Sequence, residues 1–211
     1  MDPASSEFFR EGNYDLGIKT KTSEKLTPEG LSNLYRELIA KYPIVLLEDP
    51  FAEDDWASWS AFMEKKGLVK DMPEIVGDDL TVTNVERVQE AKEKGACDGL
   101  LLKINQIGTI TEAIAAANLA FSYGWGVFVS HRSGETTDDF IADLTVGLRT
   151  GHLKTGAPAR GERVAKYNRL MDIEDEIKAS GQEVKYAGVD FRTVHGRVVV
   201  QPKIPLNVFG V

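Results

Sequence analysis

One cysteine, Cys97, stands in 211 residues. That excludes an intramolecular disulfide framework and fits a reducing compartment, the cytoplasm. No amino-terminal stretch joins basic residues to an apolar run, so no secretory signal is visible. The longest apolar runs are far too short to span a bilayer. A long basic face is missing too. The formal net charge of -8 argues against a nucleic-acid partner and against binding to anionic membranes. An acidic chain can still bind an anionic substrate where metals or local Lys and Arg invert the field.

What is present is enough apolar sequence, 42% of residues, to bury a substantial core. The length suits one domain or most of one large barrel. From residue 27 to about 177, short apolar runs alternate with helical patterns. Leu31, Leu34, Tyr35, Leu38 and Ile39 form an amphipathic helical stripe. Thr27 reads as its N-cap and Pro28 as its first residue. Ile44-Val45-Leu46-Leu47 then reads as a strand buried on both faces, as in a parallel sheet.

The unit repeats. A helix is expected around Asp55–Lys66, then a strand at Ile75-Val76. Thr83 and Glu86 read as a capping box for a helix through Lys94. Leu100-Leu101-Leu102 follows as a strand. Thr109 and Glu112 make a second capping box, for a helix carrying Ile110, Ile114, Ala117 and Phe121. Val127-Phe128-Val129 is the next strand, and Phe140, Ile141, Leu144 and Leu148 mark a helix. An extended piece at His152-Leu153-Lys154 precedes a last helix, Gly161 to Ala179, with Val164, Tyr167, Met171 and Ile177. Its mixed charges suggest a solvated face. Alternating strands and helices of this kind predict an α/β fold with a parallel sheet, as an open doubly wound sheet or a closed barrel.

Each strand ends in polar residues: Glu48-Asp49, Asp78-Asp79, Lys103, Ser130-His131-Arg132 and Lys154. Their spacings are 30, 25, 28 and 23 residues (48 to 78, to 103, to 131, to 154), about one βα unit each. In a parallel barrel the carboxyl ends of all strands open on one face, which carries the active site. Singly, an Asp after a strand is ordinarily a cap or turn residue, a Lys is solvated, and a His is structural. As a set they point to a metal-assisted acid–base site. Carboxylates without a Cys or His cluster favour Mg²⁺ over zinc. A buried lysine beside cations has a depressed pKa and can serve as a base.

Six stretches in order then resemble the enolase family. They are Met1-Asp2-Pro3-Ala4-Ser5-Ser6-Glu7-Phe8-Phe9, Glu48-Asp49-Pro50-Phe51, Gly77-Asp78-Asp79-Leu80-Thr81-Val82-Thr83-Asn84, Leu101-Leu102-Lys103-Ile104-Asn105-Gln106-Ile107-Gly108, Ser130-His131-Arg132-Ser133-Gly134-Glu135-Thr136 and Lys154-Thr155-Gly156-Ala157-Pro158. The resemblance covers residues 1–193 and leaves a tail, 194–211, unmatched. It implies a partial TIM-type (β/α)8 barrel of the enolase type, with an antiparallel irregularity near its start and the amino-terminal strands missing. It implies reversible dehydration of 2-phosphoglycerate to phosphoenolpyruvate. By the same resemblance Asp2, Glu48 and Asp78 hold a Mg²⁺, and Glu48 also lies at the substrate. Lys103 is the base at carbon 2. His131, Arg132 and Ser133 bind substrate, the last two at its phosphate, and Lys154 meets its carboxylate.

The chemistry suits those residue types. A proton beside a carboxylate is weakly acidic, and cations stabilise the charge left when it departs. A lysine base working with Mg²⁺ is a general property of this superfamily rather than something residue types alone dictate. Arg132 suits phosphate because its fork donates two hydrogen bonds. The motif at Ser130–Thr136 argues against another lyase or racemase of the superfamily.

The resemblance also implies absences. The family's amino-terminal α+β domain, its acid glutamates, the loop completing a second metal site and most homodimer contacts belong before Met1. The expectation is therefore a family enzyme whose isolated chain has little activity, or else a non-catalytic fragment or binding module. Two open barrel edges are an aggregation liability. Glu64–Pro73 reads as a short insertion, and His195 has no inferred role. Trp56 and Trp59 are expected on a helix face, Cys97 buried and inert, and Gly124 and Gly126 past a helix end.

Overall fold

The computed structural model describes residues 1–20, 22–66 and 72–192. The centre of Glu64–Pro73 and the tail 194–211 with His195 lie outside the described residues. The chain forms two compact units, Met1–Leu100 and Leu101–Val211.

The first unit opens with a 3₁₀ turn, Ser5–Phe8. Strands β1 (Phe9–Arg10), β2 (Asn13–Asp15) and β3 (Lys25–Leu26) follow as an antiparallel sheet in that order. Glu11 and Gly12, at φ 51° and 79°, make the two-residue turn between β1 and β2, the left-handed pair that matches hairpin twist. This antiparallel sheet is distinct from the sheet of parallel strands. Helix α1 (Pro28–Lys41) starts at the expected cap, where Thr27 Oγ1 accepts the Gly30 N–H at 3.1 Å. Leu31, Tyr35 and Ile39 are its buried face.

Then come β4 (Leu46–Glu48), α2 (Trp56–Glu64), β5 (Glu74–Gly77), α3 (Val85–Glu93) and β6 (Gly99–Leu102). Strand β4 pairs parallel with β5, Leu47 opposite Ile75. It starts two residues later than its apolar run suggests, and Val45 is 52% exposed. On the flank away from β5, Met1 lies beside β4. Its ammonium donates to Leu46 O at 2.8 Å and its carbonyl accepts the Glu48 N–H at 2.9 Å. Asn84, not Thr83, caps α3, its Oδ1 accepting the N–H groups of Glu86 and Arg87. Thr83 is buried in a left-handed turn one residue earlier.

An aromatic cluster of Tyr14, Tyr35, Phe51, Trp59 and Phe62 fills this unit, its rings edge to face. Its polar tips are satisfied by the chain leaving β4. Ala52 donates its N–H to Tyr14 Oη at 2.9 Å, and Trp59 Nε1 donates to Ala52 O at 3.0 Å. Ser5 Oγ donates to Pro50 O at 2.9 Å. The segment after Glu48 is thereby pinned to the core. Trp56 instead lies half-buried under Arg87 and Lys94.

The second unit carries α4 (Ile104–Ile107), α5 (Ile110–Ser122), β7 (Gly126–Ser130), α6 (Phe140–Gly147), β8 (Leu153–Lys154) and α7 (Gly161–Ala179). Thr109 caps α5 by accepting the Glu112 N–H at 3.1 Å, while the Glu112 carboxylate accepts the Thr109 hydroxyl. The buried face of α5 is alanine-rich, Ala113, Ala116, Ala117 and Ala120 with Phe121, while Ile110 is exposed. Strand β7 is buried throughout and pairs parallel with β8. In α7 the expected stripe is displaced. Met171 is 58% exposed, and the buried residues are Lys166 and Ile173.

The parallel strands run in the order β4-β5-β6-β7-β8. This α/β arrangement is a partial TIM barrel. Among the described residues no helix is long and apolar enough to cross a membrane.

Candidate functional site

In the first unit the polar residues lie where β4 and β5 end. Glu48 is the last residue of β4 and 2% exposed. Asp2 follows the Met1 bridge to β4, and its Oδ1 accepts the Ala4 N–H at 3.0 Å. Asp2 itself is exposed. Asp78 follows β5 directly and is buried.

Asp49 occupies the left-handed region, φ 43°, which turns the chain sharply after β4. Its Oδ1 accepts the Asp78 N–H at 2.9 Å and its Oδ2 the Asp79 N–H at 3.0 Å. Asp49 is thus a bracket between the β4 and β5 ends. Burial pushes its carboxyl well above the ordinary range, and the charges of Asp78 and Asp79 push the same way, against the two N–H donors.

The loop beyond Asp79 holds backbone strain. Val82 and Thr83, both β-branched, sit at φ 42° and 56°, conformations that cost such residues on the order of 1–3 kcal/mol each. Backbone bonds hold them: Val82 N–H to Asp78 O at 2.8 Å and Asn84 N–H to Thr81 O at 2.8 Å.

Carboxylate oxygens of Asp49, Asp78 and Asp79 lie within 4.8 Å of one another, the one such acidic group among the described residues. Of the three ligands that the resemblance implies, Asp78 belongs to this group, and Asp2 and Glu48 do not. A donor set of carboxylates with no thiol or imidazole fits a hard divalent cation. So does the mutual repulsion at Asp49, which a cation would relieve.

In the second unit the side chains are cationic. Lys103 is half-buried between β6 and α4. His131 follows β7, and its N–H donates to Lys154 O at 2.9 Å, extending the β7–β8 pairing. Arg132 Nη1 reaches Asn105 Oδ1 at 3.4 Å, and its backbone N–H donates to Glu135 Oε1 at 2.9 Å. Ser133 is exposed. Burial holds the His131 imidazole below its ordinary pKa, and the charges of Arg163, Lys154 and Lys103 add to that, with Glu135 opposing. Lys103, Lys154 and Arg163 therefore give His131 a positive environment, suited to an anion.

Asp49 and Glu135 lie in the stretches that resemble the family but have no role implied there. Arg163 and Lys166 read from the sequence as solvated charges on α7. Their helical spacing, three apart beside Glu162, was the available signal.

A partial α/β barrel with ionisable residues at the carboxyl ends of its parallel strands defines the class of protein. Residues 1–195 match the model of the enolase C-terminal TIM barrel domain, and the chain belongs to that family. It is an enolase-type lyase by family, and its family implies a small-molecule substrate.

Proposed function

We propose that this chain carries the proton-abstracting machinery of phosphopyruvate hydratase, which converts 2-phosphoglycerate to phosphoenolpyruvate and water in cytoplasmic glycolysis. The family match over residues 1–195 carries this reading. The positive environment around His131 supports it, because the substrate has both a phosphate and a carboxylate.

Asp2, Glu48 and Asp78 would hold Mg²⁺, with Asp49 and Asp79 shaping the turn beside Asp78. The bound cation would stabilise negative charge that develops on the substrate carboxylate. Lys103 takes the carbon-2 proton on Nζ. Lys154 holds the carboxylate, Arg132 and Ser133 hold the phosphate, and His131 donates a hydrogen bond to the substrate. A second ligand set, Asp49, Asp78 and Asp79, is favoured by the closeness of their oxygens. Calorimetric Mg²⁺ titration separates the two. Loss of binding in Glu48→Gln with retention in Asp79→Asn supports the first set, and the reverse supports the second.

The reading is tested by incubating the chain with 2-phosphoglycerate and Mg²⁺ in D₂O. Carbon-2 exchange and phosphoenolpyruvate formation are both followed by NMR. Lys103→Ala should lower either rate by roughly 10²–10⁴-fold, the usual worth of a general base. Exchange that survives Lys103→Ala would remove Lys103 from the role. A chain that binds the substrate without exchange would instead be a non-catalytic module of the family.

A further inference from the structure

Helix α7 has a charged face whose contacts are directed at two loops. Arg163 Nη1 lies 2.7 Å from His131 Nδ1 and donates to Arg132 O at 2.9 Å, while Nη2 donates to Ser133 O at 3.1 Å. One guanidinium thus touches three consecutive residues of the loop after β7.

Lys166, three residues on, is 1% exposed. Its ammonium donates to Glu135 Oε2 at 2.7 Å, Thr136 O at 2.7 Å and Glu162 O at 2.8 Å, which uses all three of its donors. Glu135 passes the restraint back, since its other oxygen accepts the Arg132 N–H. Tyr167 Oη donates to Gly156 O in the loop after β8. Gly156 is packed so closely there that a Cβ would meet Arg163 Cδ and His131 Cε1 at 3.2 Å each.

A guanidinium has donors and no acceptor, and stays protonated at any ordinary pH. A short contact from it to an imidazole nitrogen therefore requires a lone pair on that nitrogen. The ring proton must then sit on Nε2.

We propose that Arg163 is a positioning residue that fixes His131 as the Nε2–H tautomer, with Lys166 and Tyr167 of the same helix face holding the flanking loops. His131 then offers the substrate a donor. It is not a base at that nitrogen, which leaves proton abstraction to another group. The role rests on the functional reading above, but the tautomer is a property of the chain itself.

The test is long-range ¹H–¹⁵N NMR on the uniformly labelled chain, with the His131 signals assigned by their loss in His131→Gln. The wild-type chain should show a single Nε2–H pattern for His131 at neutral pH. Arg163→Met should give both tautomers and raise the pH at which His131 titrates, because it removes one facing cation while Lys103 and Lys154, which lower that pH, and Glu135, which raises it, all stay in place. Arg163→Lys should keep more of the Nε2–H form than Arg163→Met. An Nδ1–H pattern in the wild-type chain would overturn the proposal, and needs no folded variant. So would an unchanged tautomer in Arg163→Met with its circular dichroism and His152 signals intact. Adding 2-phosphoglycerate with Mg²⁺ separates the two readings. A fixed Nε2–H tautomer whose signals ignore the ligand would sink the substrate role of His131 and leave the tautomer assignment standing.

Discussion

His152 packs edge-on against Phe128, ring centroids 4.4 Å apart, and tilts against Phe191 at 5.5 Å. Burial among these rings lowers its pKa from 6.5 to about 4, and Lys154 pushes the same way. The unfolded chain therefore takes up a proton near pH 6.5 that the folded chain refuses until about pH 4. Stability from this residue is whole above pH 6.5 and is lost as pH falls between those values. The loss amounts to roughly 3 kcal/mol at most. Urea unfolding at stepped pH should show it, and His152→Phe should flatten that part of the profile. Asp49 makes a second residue-scale prediction. Asp49→Asn replaces one acceptor oxygen with an NH₂ facing a backbone N–H. The expected cost is about 1–3 kcal/mol, read as a lower urea midpoint, together with weaker Mg²⁺ binding. An unchanged midpoint would mean that Asp49 brackets nothing.

Between elements, α6 and α7 are joined by a two-pronged pair. Arg169 Nε and Nη2 donate to the Asp143 oxygens at 2.9 and 2.7 Å. Those bonds hold the Asp143 carboxyl below its ordinary pKa against the effect of burial. The pair is partly exposed, so Arg169→Met should lower the urea midpoint only slightly, and less still in high salt. Gly156→Ala should be harsher, because it adds a Cβ at φ 80° against Arg163 and His131. Lower substrate affinity with an intact circular dichroism spectrum is expected. Legibility of the sequence divides along the same lines. Caps at Thr27 and Thr109 could be read because a hydroxyl and the N–H it caps are three residues apart in the chain. So could the buried strands β5, β6 and β7, whose short apolar runs are bounded by turn and polar residues. Asn84 took the cap from Thr83 because a local turn closing on Asp78 O holds Val82 and Thr83 in the left-handed region, so the helix starts one residue later. The buried face of α7 has a tertiary origin. Period and charge suggest water around Lys166, but the Glu135 carboxylate and the Thr136 carbonyl that bury it lie 31 and 30 positions away. The strand-end residues were visible as a set, but not Asp49 as the link between two of them.

At the scale of the molecule, binding should stabilise each unit through its own loops. Mg²⁺ at a hundred times its dissociation constant would add about 2.7 kcal/mol. The melting temperature should rise with Mg²⁺, and Asp78→Asn should abolish the rise. Hydrogen exchange should slow on adding Mg²⁺ at the turns after β4 and β5. On adding substrate it should slow in the Ser130–Thr136 loop. Lys166 gives one more consequence. An amine with all three hydrogens engaged and 1% exposure is hidden from acylating reagents while its loop stays shut. Exposed lysines such as Lys185 would be labelled at once. Acylation of Lys166, followed by mass spectrometry, would therefore time the opening of the substrate loop, and a ligand that closes the loop would slow that clock.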